Sequence, residues 1–255
     1  RTRDDLSAFL VSLELEDGLA PARIVDVSDP QNADQVIAGV TAGGLSLPDR
    51  DYYFRDDTRS KTIRDEFVLH VEKLLRLLGD PQAGSSAKAV MEFETALANA
   101  TLSNVARRDP YNRIHKTDFA GLALLTPEYD WAAAFDVLKI PRTVAVNVSE
   151  PEFLKTINRQ LPEVPLETWK IWLRWRVMRA RAQYLPKAFY DEWFHFERTV
   201  LSGVSQQSER WKVCVASADG TLGEALGRLY VEKHFPMEAR RRMRQLVENM
   251  RAALG

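Results

Sequence analysis

The chain is poor in the residues that build metal and redox chemistry: it holds one cysteine and four histidines. A lone cysteine, Cys214, excludes an internal disulfide and any cysteine-rich metal site. Free cysteines are among the most buried residues, so Cys214 is expected to be a small core side chain. A disulfide to a segment outside this chain is the alternative. The histidines are His70, His115, His195 and His234, and none begins H-E-x-x-H. That pattern places two imidazoles on one helix face to grip zinc, with the glutamate as general base. Two H-x-E triplets occur, His70-Val71-Glu72 and His195-Phe196-Glu197. A deaminase-type zinc shell built on such a triplet also needs P-C-x-x-C, which one cysteine cannot supply. Both triplets therefore read as helix-face residues. Ser202-Gly203, Gly220 and Gly223 do not make a phosphate-binding G-x-x-x-x-G-K-[ST] loop. No apolar run approaches the roughly 18–20 residues that cross a bilayer. The formal charge is −1, which gives no reason to expect nucleic acid or an anionic membrane as a partner. Arg1-Thr2-Arg3-Asp4-Asp5 carries neither an initiator Met nor an apolar signal core, so the chain is expected to start inside a longer polypeptide.

What is present is an ordinary soluble composition, 45% hydrophobic and 28% charged, over 255 residues, enough for a sizeable core. Leu6, Phe9, Leu10 and Leu13 predict a helix over 4–16, broken at Asp17-Gly18. Arg23–Val27 and Gln35–Val40 read as two strands around the turn residues Ser28–Asn32. Gly43–Tyr53 reads as an ordered loop, stiffened by Pro48 and anchored by its tyrosines. Ile63, Phe67, Val71, Leu74, Leu75 and Leu78 mark an amphipathic helix, and a further helix is expected from Ser86 to Thr101. Arg107–Asn112 is a polar break. Short helices follow at 117–124 and 130–138, with a β segment at Thr143–Val148. Pro151 and Pro165 each stand where a first-turn proline opens a helix. Helices are expected near 186–201, 208–218, 221–234 and 237–253. The fold class is mainly α, a multi-helix lobe with a small β-hairpin near the N-terminus. No repeat, linker or domain boundary is visible, which favours one mainly helical unit.

The charged and aromatic clusters carry modest signals. Glu92 and Glu94, two apart on a helix, do not face each other, so one is expected in solvent and the other in a structural ion pair rather than in catalysis. Arg240, Arg241, Arg242 and Arg244 suggest a basic helix, but Glu238 and Glu248 dilute it into a solvated face. Trp169, Trp172, Trp175, Trp193 and Trp211 alternate with cations, as single-strand nucleic-acid platforms do. A helix-packing core with arginines on its rim explains them better. Asn99-Ala100-Thr101 and Asn147-Val148-Ser149 fit the N-glycosylation acceptor. Composition and spacing alone identify no catalytic, substrate-binding or metal residue.

Three stretches together carry a family resemblance. Gly43-Gly44-Leu45-Ser46-Leu47-Pro48-Asp49-Arg50-Asp51-Tyr52-Tyr53 resembles the G-L-x-L-P-x-R-D-Y-Y loop of the neprilysin and endothelin-converting-enzyme family of zinc metallopeptidases. Met91–Ala98 looks like the acidic helix that follows it there. Arg210-Trp211-Lys212-Val213-Cys214 with Leu222–Val231 is similar to its R-W-x-x-C…G-x-L-Y-V segment. Trp169–Leu185 also resembles a helix of bacterial members, and order and spacing agree over roughly 20–255. Ala42 departs from the pattern, standing where the family has Gln.

The resemblance implies a two-lobed extracytoplasmic peptidase whose other lobe carries H-E-x-x-H and a downstream glutamate. It implies zinc in the full-length protein, with ligands outside this chain, and peptide substrates shared with the missing catalytic domain. Residues 1–50 would be a helix and hairpin connection and 51–255 the helical lobe enclosing the chamber. No catalytic or metal residue carries over, and the chain is expected to be inactive alone. The alternative is a stand-alone, non-enzymatic helical module that binds peptides or a protein. Missing flanks are expected to expose an apolar face, with Met243–Leu254 as the candidate stripe.

Overall fold

The computed structural model describes residues 2–3, 5–17, 19–43 and 45–254. Gly18 and Gly44, named above as a helix break and a loop glycine, lie outside the described residues, as do Arg1, Asp4 and Gly255. Helix α1 (Asp5–Asp17) turns Leu6, Leu10, Val11 and Leu13 into the core. The two strand readings become β1 (Ala22–Asp29) and β2 (Asn32–Ala42), an antiparallel hairpin whose register shifts at Ser28/Asp29. Asp29 is buried at that turn, where it accepts from the Gln31 amide at 2.9 Å and pairs with Lys116.

The hairpin is half of a larger sheet. Short strands β3 (Lys116–Thr117) and β4 (Val146–Val148) complete a four-stranded sheet in the order β1-β2-β4-β3. Strand β4 runs parallel to β2 and antiparallel to β3. Strand β3 is too short to carry an alternating pattern, and it forms because β4 offers it an edge. The sheet thereby ties the N-terminal hairpin to the helical body.

Most of that body is three long helices, α2 (Thr58–Leu77), α3 (Ala83–Ala100) and α8 (Leu166–Arg181), with α7 (Pro151–Glu163) alongside. Asp57 caps α2 by accepting from the Ser60 amide at 2.9 Å. Pro151 sits in the first turn of α7 as expected, whereas Pro165 is the residue before α8 rather than inside it. Phe67, Leu74, Val90, Phe93, Phe153, Trp169, Trp172 and Trp175 are all buried in one continuous core. Aromatic edges meet faces within it, as at Phe93–Trp169 (4.8 Å, 73°) and Phe67–Trp175 (5.6 Å, 74°).

The polar break at Arg107–Asn112 is largely helical. Ser103 caps α4 (Asn104–Arg108), and Asp109 with Pro110 opens a 3-10 turn over Pro110–Arg113. Side-chain caps create these short helices without an apolar stripe to announce them. Helices α5 (Phe119–Leu125) and α6 (Trp131–Leu138) follow. Helix α9 (Lys187–Trp193) runs straight into a π-helical segment, Phe194–Val200, where one regular helix was expected.

The contacts divide the chain into two compact units, residues 1–204 and 205–255, where the sequence suggested one. The second holds α10 (Arg210–His234) and α11 (Met237–Leu254). Helix α10 is unbroken where two helices were expected. Isolated glycines such as Gly220 weaken a helix by about 1 kcal/mol each without ending it.

Candidate functional site

The loop, the acidic helix and the tryptophan helix that stand out in the sequence converge on one buried carboxylate. Glu94, on α3, is 1% exposed. It accepts from the Ser46 amide (3.1 Å), the Ser46 hydroxyl (2.6 Å), the Tyr53 hydroxyl (2.7 Å) and the Trp172 indole (3.2 Å). A carboxylate is acceptor-only and offers about four lone-pair sites, so these donors saturate it. The Trp175 indole donates to the Ser46 hydroxyl at 2.9 Å, and the Leu47 amide donates to the Tyr53 oxygen at 3.1 Å. Burial, then the Glu94 charge, raises the Tyr53 pKa well above its ordinary value, which keeps the phenol a donor. Arg176, buried on α8 with its guanidinium 5.6 Å from the Trp172 ring, adds a positive field. Glu92 is exposed, as expected of one of the pair. The structural role of Glu94 thus comes from neutral donors rather than from the ion pair anticipated.

Gly43 begins the anchored loop where β2 passes the 20–21 backbone. Its amide donates to the Pro21 carbonyl, and a Cβ there would collide with the Pro21 and Ala20 carbonyls. Only glycine fits that approach. The network fixes the loop and leaves no lone pair for a substrate. It is a fastening, not a reactive centre.

The histidines do not come together. His70 is buried and bonds Glu192 rather than Glu72, so it belongs to the core and not to an open helix face. His115 Nδ1 lies 3.0 Å from the Val148 carbonyl, His195 is 3.6 Å from Glu66, and His234 packs on Tyr230. Among the described residues no group of three His, Cys, Asp or Glu side chains is placed to hold a metal. The resemblance implies a zinc whose ligands lie outside this chain.

Other candidates also change meaning in three dimensions. Cys214 is exposed on α10, contrary to the core position expected, because that helix buries almost nothing within the chain. Trp211 is 61% exposed, with Lys212 5.4 Å from its ring, whereas Trp169, Trp172 and Trp175 are buried as predicted. Arg241 and Arg242 pair with Glu238 on the exposed face of α11, as the solvated reading required. Asn147 is buried, accepting from the His115 amide and donating to the Arg113 carbonyl, which makes its glycan motif unusable in the folded chain. Glu150 was not singled out in the sequence, yet it is buried and holds Arg107 at 2.8 Å and the Leu102 amide at 2.7 Å. Its signal was an acid directly before a first-turn proline.

Perturbed groups occur elsewhere as well. Burial raises the pKa of Glu14, with Arg23 at 3.7 Å opposing it. The gap it shares with Val11, Ile24 and Tyr129 has no room for a water molecule. A groove of about 430 Å³ lies between α1 and α8, floored by Leu6, Phe9, Leu173, Val177 and Met178. Its lining is mostly aliphatic, suited to apolar side chains rather than to bond-breaking. No described helix is long and apolar enough to cross a membrane.

Comparison with known proteins fits this arrangement. The profile described as peptidase family M13 matches residues 1–255. The chain belongs to peptidase family M13. It is an N-terminal domain of the neprilysin and endothelin-converting-enzyme type. Human endothelin-converting enzyme 1 is 28% identical over 222 residues, covering 84% of this chain and 28% of that protein. Rat endothelin-converting enzyme-like 1 is 26% identical over 232 residues, covering 89% and 30%. The M13 chain thus spans about 30% of the length of the curated relatives it matches. The Mycobacterium tuberculosis zinc metalloprotease Zmp1, in its open state, superposes with a TM-score of 0.86 at 28% identity, covering 99% of this chain and 40% of that one. PepO from Lactobacillus rhamnosis shares the fold, with a TM-score of 0.77 at 18% identity over 97% of this chain and 39% of that one. The M13 domain described here does not cover the catalytic zinc domain of the family.

Proposed function

We propose that this M13 domain encloses the substrate chamber of a zinc-dependent metalloendopeptidase and takes no direct part in peptide hydrolysis. The observation that carries this reading is the disproportion in coverage: nearly all of the chain, but only 40% of Zmp1, is shared. The chemistry then belongs to the remaining part of the full-length protein. A zinc bound there would supply the Lewis-acid activation of water, and the residues of this chain would contribute neither ligand nor base to it. The chain's own contribution is shape. The Glu94 network holds loop 43–53 against α3 and α8, and the sheet holds the hairpin against the body. A rigid wall of this kind limits which peptides reach the metal. The partners are peptide substrates and the missing catalytic domain, and the location is extracytoplasmic. Residues 1–50 serve as the connection and 51–255 as the lobe.

The test compares zinc content and cleavage of short fluorogenic peptides for the purified chain and for the full-length protein, with and without chelator. The chain is expected to hold no tight zinc and to show no chelator-sensitive turnover, whereas the full-length protein holds stoichiometric zinc and cleaves. Chelator-sensitive cleavage by the chain alone would overturn the reading.

A further inference from the structure

Helix α2 is joined to the α9–π segment by two histidine–glutamate pairs of opposite design. In the inner pair His70, on α2, is 1% exposed, and its Nδ1 lies 3.0 Å from Glu192 Oε1 on α9. Because a carboxylate can only accept, Nδ1 carries the proton and Nε2 is bare. Nε2 is buried with no hydrogen-bond partner. The ring stacks on Phe196 of the π segment (4.6 Å, 15°) and meets Trp175 of α8 edge-on (5.5 Å, 88°). A second proton, on Nε2, would put an N–H and a positive charge against aromatic walls with no acceptor. Lys73 holds the other oxygen of Glu192 at 3.1 Å. In the outer pair His195, on the π segment, lies 3.6 Å from Glu66, with both side chains far more exposed.

We propose that His70 and Glu192 form an acid-releasable latch that holds the α9–π segment, Lys187–Val200, against α2 at neutral pH. Geometry makes the segment the weak partner. A π-helix is rare and usually marks a functional irregularity. Shortly beyond the end of this one at Val200 stands Gly203, whose φ is +71°, with Val204 donating back to the Arg198 carbonyl at 2.8 Å. Burial pushes the His70 pKa below its ordinary value and Arg179 adds to that, outweighing the opposite pull of Glu192 and Glu197. Burial alone would raise Glu192, but the bonds from His70 and Lys73 outweigh it and hold its carboxyl below the usual range. Both groups bind protons more readily once the segment is released. The latch is therefore intact at neutral pH and weakens as pH falls, first through the histidine range and then through the carboxylate range. The outer pair, His195 and Glu66 beside Arg59, is open to solvent, where screening keeps its contribution minor.

Hydrogen–deuterium exchange on the full-length protein tests the latch, with rates corrected for intrinsic pH dependence. Protection of peptides covering 187–200 is expected to fall about tenfold between about pH 7.5 and about pH 5.5, the limit for one histidine proton, while α3 peptides stay unchanged. His70→Gln, which does not titrate, is expected to make the 187–200 ratio flat. A flat ratio in the unsubstituted protein, or an undiminished acid loss in His70→Gln, would overturn the proposal. Should His70→Gln misfold, histidine nitrogen NMR of the unsubstituted protein decides. His70 is expected to stay singly protonated on Nδ1 until the segment opens, and titration at the ordinary histidine value without opening would sink the latch.

Discussion

Trp169 and Trp211 both stand near the start of a helix, and they end in opposite environments. Trp169 is fully buried among Phe93 and Trp172, whereas Trp211 stands 61% exposed at the start of α10. The contrast extends to whole regions. In residues 1–204 the apolar faces of α2, α3 and α8 meet one another and close a core. In residues 205–255 Leu226, Leu229, Met243, Leu246 and Met250 recur at helical spacing and remain about half exposed. Apolar residues recur at helical spacing in both. A repeating apolar face records that a helix expects cover, and it is silent on where the cover comes from.

Three experiments probe the contrast. The largest effect is expected for Glu94→Ala, which strips the acceptor from four buried donors at about 1–3 kcal/mol each. Partial rehydration leaves a loss of roughly 4–6 kcal/mol, read from urea unfolding. A loss below about 1 kcal/mol would mean the loop is held by packing alone. Next, Trp169→Ala is expected to cost about 3–5 kcal/mol by transfer and cavity formation, against about 0.5 kcal/mol or less for Trp211→Ala in the same chain. Equal losses in the same unfolding measurement would erase the difference between the regions. Smallest in stability is the pair Leu246→Ser with Met250→Ser, expected within about 0.5 kcal/mol of the parent chain. Binding of a hydrophobic dye should nonetheless drop, since the exposed stripe is its landing surface. Unchanged dye binding would place the sticky surface elsewhere.

Much of the helical scheme was legible because local rules write it. Pro151 at a first turn, and Ile63, Phe67, Val71 and Leu74 on one face, each act within a few residues. The hairpin was legible for the same reason, since turn residues join strands that are neighbours in sequence. The four-stranded sheet was not, because β2 and β4 are far apart in the chain and β3 is only two residues long. The π segment was missed because helix periodicity averages over the extra residue it inserts.

Local patterning, then, determined by itself where most of the long helices and the hairpin lie and that no cysteine framework or H-E-x-x-H zinc helix belongs to this chain. Which polar side chains are buried was decided only by tertiary structure. Glu92 and Glu94 are chemically alike, yet one faces water and the other four donors from loop 43–53 and α8. His70 and His195 sit in matching H-x-E triplets, but one is sealed between Phe196 and Trp175 while the other stays wet. A side chain's chemistry comes with its identity. Its desolvation and its partners come from residues far along the chain, and those exist only once the chain has folded.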